Sequence, residues 1–396
     1  GPDTVQRVLG QPVKPAMADP MMIESTLRHF FSEFDSGLNA VSVFDDIMKE
    51  SYVRKATDLH FEPLEKGMHL RMRVDGRMQD YHRPIDKVLA EALMTRIKVL
   101  AGLDIAEQQM AQDGGFAYRI QGWPEVDEQE MRVATIPTRW GERATLRILG
   151  QDTANLTLAQ LGMPENVLKA TREAIRRPHG ILLVTGPTGS GKSTTLYSAL
   201  RELDAQERNI LTVEDPIEQV VEGTAQVQVS EKLSFAKALR SFLRHDPDVM
   251  LVGEIRDHET AETAVRAAMT GHLVLSTLHT NSAVAAVSRL VDIGCPRYLM
   301  ASTLSGVLAQ RLLRRVCGHC RQPRAATNRE RRLLEIPEDH KEELLLYEGQ
   351  GCSQCLGSGY RGRVGIYESF WLNDELEKMI HQGDGDDQIA RAAEQF

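Results

Sequence analysis

A lysine and a serine at the end of a glycine-rich turn carry the most specific chemistry in this chain. Residues 186–193 read GPTGSGKS, which fits G-x-x-x-x-G-K-[ST]. Four apolar residues precede it, Ile181, Leu182, Leu183 and Val184, and the segment after it runs on to Leu200 as a helix. Strand, glycine-rich turn and helix in that order are the context a phosphate-binding loop requires. Gly186, Gly189 and Gly191 let the backbone turn tightly, so that loop N–H groups and the positive end of the helix dipole favour a polyphosphate. The expected nucleotide-binding set is Gly186, Pro187, Thr188, Gly189, Ser190, Gly191, Lys192, Ser193 and Thr194. Lys192 is expected at the β- and γ-phosphates and Ser193 at Mg²⁺. A glycine-rich hairpin turn is the alternative, and the flanking strand and helix argue against it.

Hydrolysis at such a loop needs carboxylates at neighbouring strand ends. Asp248 to Glu254, DVMLVGE, is an apolar strand ending in Gly253-Glu254, where the usual aspartate of the second phosphate-loop motif is replaced. Glu254 is expected beside Mg²⁺ and the attacking water. Ile210 to Pro216, ILTVEDP, presents Glu214 and Asp215 just past a strand that Pro216 ends. Each alone reads equally well as a solvated acidic strand end; two such ends downstream of one phosphate loop favour a site. A third apolar strand, within TGHLVLSTLHTN, is bracketed by His272 and His279. Ligands of open parallel sheets bind beyond the carboxyl ends of the strands, so His279 is better placed than His272 to sense a γ-phosphate.

Two further sets stand outside this region. Arginines are dense near the start: Arg71, Arg73, Arg77, Arg132, Arg139, Arg143 and Arg147. Strand alternation puts Arg71 and Arg73 on one face, and likewise Arg143 and Arg147. They read either as a solvated basic face or as fingers supplied to a nucleotide held elsewhere. Near the end, Cys317-Gly-His-Cys320 and Cys352-Ser-Gln-Cys355 are separated by 31 residues. Paired C-x-x-C knuckles are the spacing of a closed tetrahedral Zn²⁺ site, with disulfides as the alternative. His319 is expected to be a bystander and Cys295 a buried small hydrophobe.

The elements that must position these residues fall into two parts. The chain has 396 residues, 42% hydrophobic and 26% charged, the composition of a globular protein of two or three domains. Its net charge of −9 argues against a nucleic-acid-binding surface, and no apolar run approaches the length of a membrane span. The opening GPDTVQRVLG lacks a signal-peptide core, and its first two residues, Gly1-Pro2 in place of an initiator Met, read as a protease scar, with a native N-terminal domain expected to be missing. Residues 1–39 are expected to be a leader or linker, although Ile23 to Phe34 has helical spacing. Residues 40–150 alternate helix and strand signals: helices over Val41 to Tyr52 and Val88 to Leu103, and strands over His69 to Val74, Phe116 to Ile120, Glu130 to Ile136 and Arg143 to Leu149. Asp75-Gly76 supplies a hairpin turn, and Trp123 to Glu130 an acidic hairpin loop. This is a small α+β domain. Residues 151–158 read as a hinge. Residues 159–396 alternate strand (181–184, 210–213, 249–252, 273–276) and helix (164–176, 194–203, 235–243, 259–269), which means a parallel α/β sheet. A tetracysteine subdomain, 317–360, sits inside it with a helix expected over Asn328 to Leu346. A terminal helical piece is interrupted at Gly383 to Asp387.

With these motifs in order, the chain resembles the secretion and pilus-assembly ATPases of bacterial type II secretion and type IV pilus systems. The resemblance runs from about residue 40 to the C-terminus. It is carried by ATDLHFEP (56–63), RVDG (73–76), LDIAEQQMAQDG (103–114), RVATIPTRWGERATLRIL (132–149), GPTGSGKS, LTVEDPIE (211–218), DPDVMLVGEIRD (246–257), TGHLVLSTLHTN and the paired C-x-x-C. It implies a RecA-like P-loop ATPase domain preceded by a PAS-like domain, working as a cytoplasmic homo-hexamer with ATP and Mg²⁺. Glu214 would lie near the attacking water, Glu254 at Mg²⁺ and the water, and His272 and His279 would couple to the nucleotide. Arg132 and Arg147, then Arg143 and Arg73, would complete a neighbouring subunit's site. The cysteines match the zinc-binding insertion of the assembly branch, which the retraction branch generally lacks. The implied partner is an inner-membrane platform protein, to which the ATPase would attach peripherally. Thr57 stands where Ser is usual, Trp123 to Glu130 looks like an inserted loop, and the family's N-terminal docking or dinucleotide-binding domain is not recognisable. A nucleotide-gated scaffold with little hydrolysis and a DNA-translocating conjugation or transformation motor are the competing functions; the acidic balance disfavours the second.

Overall fold

The computed structural model describes residues 39–150, 156–203, 205–337 and 344–394. The chain divides into two units, Gly1–Gln151 and Asp152–Phe396. The expected leader, the helical spacing at Ile23 to Phe34 and the core of the expected hinge, Gln151 to Asn155, lie outside the described residues.

In the first unit, helix α1 (Ala40–Arg54) starts at Asn39, whose side chain accepts the Val41 and Ser42 N–H groups. Strands β1 (Ala56–Leu64), β2 (Gly67–Val74), β3 (Arg77–Asp80) and β4 (Ile85–Asp86) follow. Helix α2 (Lys87–Ala101) is capped by Asp86 and ends at Gly102, which takes the left-handed conformation (φ 68°) that favours glycine. Strands β5 (Gln112–Tyr118), β6 (Gln129–Thr138) and β7 (Gly141–Ile148) complete an antiparallel sheet of order β3-β2-β1-β7-β6-β5, with β4 on β2. Period-two alternation gives this sheet two faces. Leu59, Phe61, Leu70, Met72, Met131, Val133, Ala144 and Leu146 point to one side and bury against Phe44 and Ile47 of α1 and Leu93 and Ile97 of α2. Asp58, Glu62 and the arginines of the same strands take the other side, whereas Glu142 faces α2 and pairs with Lys98. Segment 123–130 lies at the expected connection between the antiparallel strands β5 and β6, and within it Trp123 and Val126, each 2% exposed, anchor it in the core.

The second unit opens with a 3₁₀ turn, Leu158–Leu161, and α3 (Glu165–Arg176). Then come β8 (Gly180–Thr185), α4 (Lys192–Glu202), β9 (Ile210–Glu214), β10 (Ala225–Gln228), α5 (Phe235–Phe242), β11 (Val249–Val252), α6 (His258–Met269) and β12 (Leu273–Leu278). After α7 (Ala285–Asp292) and α8 (Arg297–Thr303) runs the long β13 (Leu304–Val316). The chain finishes with β14 (Arg321–Ala325), α9 (Asn328–Leu333), β15 (Leu345–Gly349), β16 (Tyr360–Trp371), α10 (Asp374–Gln382) and α11 (Asp386–Ala393). The sheet order is β10-β9-β11-β12-β8-β13-β16, parallel except for β16. Helices cover both faces, so the inner strands β8, β11 and β12 are buried along their whole length. Burying a side chain such as Leu183, Val252 or Leu275 contributes about 1.5–3 kcal/mol.

β13 pairs with β8 only from Leu304 to Ala309 but with β16 from Gly306 to Val316. Its far half is therefore a two-stranded ribbon that leaves the sheet and carries the cysteines at its end. There, β14 and β15 pair antiparallel. The helix expected over Asn328 to Leu346 is the short α9, opened by a Thr327–Glu330 capping box. Pro337 disfavours helix at Ile336, and Leu345–Gly349 is a strand.

Candidate active site and metal centre

Past Thr185 the chain turns through Gly186 (φ 144°), Gly189 (77°) and Gly191 (90°) before α4 begins. A Cβ on Gly186 would fall 2.3 Å from the Gln310 carbonyl oxygen, so no side chain fits there. The loop crest Pro187, Thr188 and Gly189 is exposed, and so is Ser193 on the first turn of α4. That turn has no side-chain cap, which leaves its N–H groups for an anion. The Lys192 ammonium donates to the carbonyl oxygens of Gly186 (2.9 Å) and Pro187 (3.2 Å). Burial lowers its pKa, opposed by the charges of Glu254 and Glu218. Glu218 thus joins the loop's electrostatics, although the sequence analysis passed over it. Ser190 Oγ is buried without a partner among the described residues.

Glu254 lies two residues past β11 and is 9% exposed. One carboxylate oxygen pairs with Arg256; the other is buried, makes no hydrogen bond among the described residues and lies 3.4 Å from His279 Nε2. β12 runs between β11 and the phosphate-loop strand β8 and ties their ends together. Ser276 and Thr277 donate to the Val252 and Gly253 carbonyls, each at 2.7 Å. On the other side, the Thr280 N–H donates to Thr185 Oγ1 at 2.8 Å. This row of hydroxyls fixes Glu254 and His279 relative to the loop. Glu214 is arranged differently. Its carboxylate accepts from the Tyr197 hydroxyl, from Thr212 Oγ1 (2.6 Å) and from Gln226 Nε2 (3.0 Å). Three of its roughly four acceptor positions are therefore taken. It braces α4 against β9.

His272 does not join this group. It precedes β12, and its Nδ1 lies 2.9 Å from the Ala267 carbonyl oxygen. The six residues of β12 separate it from the loop end by about 20 Å. Within one chain, His272 thus lies at the end of β12 away from the phosphate loop and His279 at the end beside it.

On the outer face of the first unit, strand register sets Arg73, Asp58, Arg147 and Arg132 side by side. Arg147 Nε lies 3.0 Å from Asp58 yet its side chain stays 65% exposed; Arg73 Nε lies 3.6 Å from the other Asp58 oxygen. Glu62 holds Arg71 (2.6 Å) and Arg143 (2.9 Å). Arg132 makes no ion pair among the described residues. Asp58 and Glu62 each gather two arginines, while Arg147 stays largely exposed. His60 sits among them with Nε2 buried and without a partner among the described residues; burial lowers its pKa despite Asp58.

The Sγ atoms of Cys317, Cys320, Cys352 and Cys355 all lie within 4.8 Å of one another. Cys317–Cys352, Cys320–Cys355 and Cys352–Cys355 are 3.9, 3.8 and 3.7 Å apart. Four Zn–S bonds of about 2.3 Å in a tetrahedron give S···S edges of about 3.8 Å. All four thiols are free, and their separations are those of metal ligands rather than of an S–S bond of about 2.05 Å. Backbone N–H groups of Cys352 (3.1 Å) and Gly359 (3.2 Å) point at Cys355 Sγ, as they would at a metal-bound thiolate. The residues fit a closed structural Zn²⁺ site. Cys295 is buried apart from them, as expected.

Residues 35–396 match the family described as Type II/IV secretion system protein. The chain belongs to this family. The Type II secretion system protein E of Klebsiella pneumoniae is 48% identical to it over 348 residues, 87% of this chain and 68% of the relative. The Type II secretion system ATPase E of Vibrio cholerae is 47% identical over the same shares. Among solved structures, the pilus retraction motor PilT with bound ADP is 30% identical with a TM-score of 0.57, covering 88% of this chain and 87% of that one. The ATPase DotB of Legionella pneumophila, 22% identical, shares the fold with a TM-score of 0.65 over 91% and 88% of the two chains. The resemblance drawn from the motifs is borne out: this secretion-family chain is an ATP-hydrolysing enzyme with a parallel-sheet α/β domain. No helix among the described residues is long and apolar enough to cross a membrane.

Proposed function

We propose that this secretion ATPase is a cytoplasmic hexameric motor that turns ATP hydrolysis into assembly of a type II secretion pseudopilus or a type IV pilus. It would act through an inner-membrane platform protein and attach to the membrane peripherally, by way of its partners. The observation that carries the hydrolytic reading is Glu254: a buried carboxylate with one oxygen held by Arg256 and the other unbonded beside His279.

The chain's own residues have separable parts in this scheme. Lys192 would exchange the carbonyls of Gly186 and Pro187 for β- and γ-phosphate oxygens, while the loop N–H groups and the α4 dipole hold the rest of the polyphosphate. Ser193 would ligate Mg²⁺, which when bound supplies neutralising charge at the phosphate oxygens. The unbonded Glu254 oxygen would orient the attacking water and take its proton, with Arg256 holding the other oxygen in place. His279, 3.4 Å from that oxygen, would report whether the γ-phosphate is present. Glu214 would act one step removed, by setting the position of α4 through Tyr197. The four cysteines would hold Zn²⁺ with no open position, a structural role. The exposure of Arg147, and the absence of an ion pair at Arg132 among the described residues, support their action on a neighbouring subunit's nucleotide.

The shared site has a direct test in mixed subunits. Chains carrying Lys192→Ala and chains carrying Arg132→Ala and Arg147→Ala should each be inactive, since an arginine supplied by a neighbour contributes ~10³-fold or more in rate. Mixing the two should restore part of the phosphate release, because some interfaces combine an intact loop with intact arginines. Two inactive parents that stay inactive when mixed into one ring would contradict the shared site.

A further inference from the structure

Gln310 is a buried amide, 3% exposed, that follows the apolar and small residues Leu304 to Ala309 in the buried half of β13. An amide taken out of water is tolerated when it is hydrogen-bonded, so its partners indicate what it is for. Register places it. The last pair between β13 and β8 is Ala309 with Thr185, so Gln310 comes next to Gly186, the first residue of the phosphate loop. Its carbonyl oxygen fills the space in which a Cβ on Gly186 would stand, at 2.3 Å. Its side-chain Nε2 does the same to Gly191, the last glycine of the loop, at 2.7 Å. Its Oε1 accepts from Thr195 Oγ1 at 2.7 Å, and the Thr195 N–H donates to the Gly191 carbonyl at 3.0 Å. One residue thus touches the first residue of the loop, its last glycine and the first turn of α4.

We propose that Gln310 is a positioning residue for the phosphate loop: it sets the distance between the two ends of the loop and so the direction of the N–H groups that meet the polyphosphate. The proposal rests on the ATP reading of the site and deepens it. The chemistry specifies the residue type. A methionine could fill the volume but would leave the Thr195 hydroxyl without its acceptor. A glutamate would bring a negative charge against the phosphates. A residue that acts through the loop should affect binding of the phosphate chain more than the chemical step, because it touches neither Glu254 nor the attacking water.

The test measures binding of fluorescent ATP and ADP analogues to the full chain, together with steady-state phosphate release. Gln310→Met should raise Kd for both nucleotides about tenfold, equivalent to about 1.4 kcal/mol, with kcat at saturating ATP within about threefold of the parent. Thr195→Val should show the same loss, and Thr195→Ser, which keeps the hydroxyl, should restore the parent affinity. The double variant Gln310→Met with Thr195→Val should be no worse than either single one, as expected for two halves of one interaction. If Gln310→Met does not fold, the Thr195→Val and Thr195→Ser pair decides alone. Parent-like Kd values in Thr195→Val, or losses that multiply in the double variant, would overturn the proposal. Lys192→Ala serves as the control: it should abolish binding, and retained binding there would count against the ATP site itself rather than against Gln310.

Discussion

Lys98 is 1% exposed, and its ammonium is held inside the first unit by both oxygens of Glu142, each at 2.8 Å, and by the Glu107 carbonyl at 2.5 Å. The contact ties α2, which carries Lys98, to β7 through Glu142 and to the loop between α2 and β5 through Glu107. That loop folds on Glu107, whose carboxylate accepts the N–H groups of Gln109 (2.6 Å) and Met110 (3.1 Å). Replacing Lys98 with Met preserves volume but leaves the Glu142 charge buried without a counter-ion. Removing one member of such a buried pair costs about 3–5 kcal/mol, whereas replacing both by apolar groups is roughly neutral. For a domain of this size that is a fall in Tm of roughly 15 °C or more. The assay is urea unfolding followed by tryptophan fluorescence, since Trp123 and Trp140 report on this unit. Hydrogen exchange at Gln109 and Met110 should accelerate in parallel. The double variant Lys98→Met with Glu142→Leu should recover most of the loss. A single variant costing less than about 1 kcal/mol, or a double variant as unstable as the single one, would refute the reasoning.

Metal analysis of the purified chain should find about one zinc per chain, and a chelator strong enough to remove it should open residues 317–360 to protease. Recovery of the cysteines as disulfides in place of zinc would contradict this. The first unit should lose stability on acidification. The His60 pKa is held below its ordinary 6.5 by burial, with Arg143 and Arg73 acting in the same sense and Asp58 and Glu62 opposing. The unfolded chain therefore binds the His60 proton first, and stability declines as pH falls through 6.5. Glu62, kept below its ordinary 4.5 by Arg71 and Arg143 against the opposing effect of burial, adds a second loss as pH falls through its depressed folded value. His60→Gln should flatten the first part of the urea-midpoint curve against pH; an unchanged curve would exclude His60 as its source.

Much of the second unit could be read from residue order alone. The phosphate loop, the strands β9, β11 and β12 and their intervening helices announce themselves because a buried parallel strand is a short continuous apolar run. β13 and β16 escaped that reading for a physical reason. Each begins or ends in the core but leaves the sheet as a ribbon, so arginines and glycines interrupt the apolar pattern. Gln310 escaped with them, since its importance lies in its register against Gly186. Glu214 and Glu254 look alike as strand-end acids; only the three donors around one and the unbonded oxygen of the other tell them apart. His272 and His279 flank one strand in sequence, yet that strand carries them to opposite ends. In the first unit, alternation gave the arginine face, whereas the buried Trp123 and Val126 are two apolar residues too sparse to outweigh the acidic run around them.

The central claim, that Glu254 makes this loop a hydrolytic site, is tested most directly by Glu254→Gln in the full chain. The substitution keeps the size and hydrogen-bonding outline of the side chain and removes its ability to take a proton. ATP affinity should stay within a few-fold of the parent, while phosphate release at saturating ATP should fall about 10²–10⁴-fold. Hydrolysis that continues at the parent rate in a variant that still binds ATP would contradict the account.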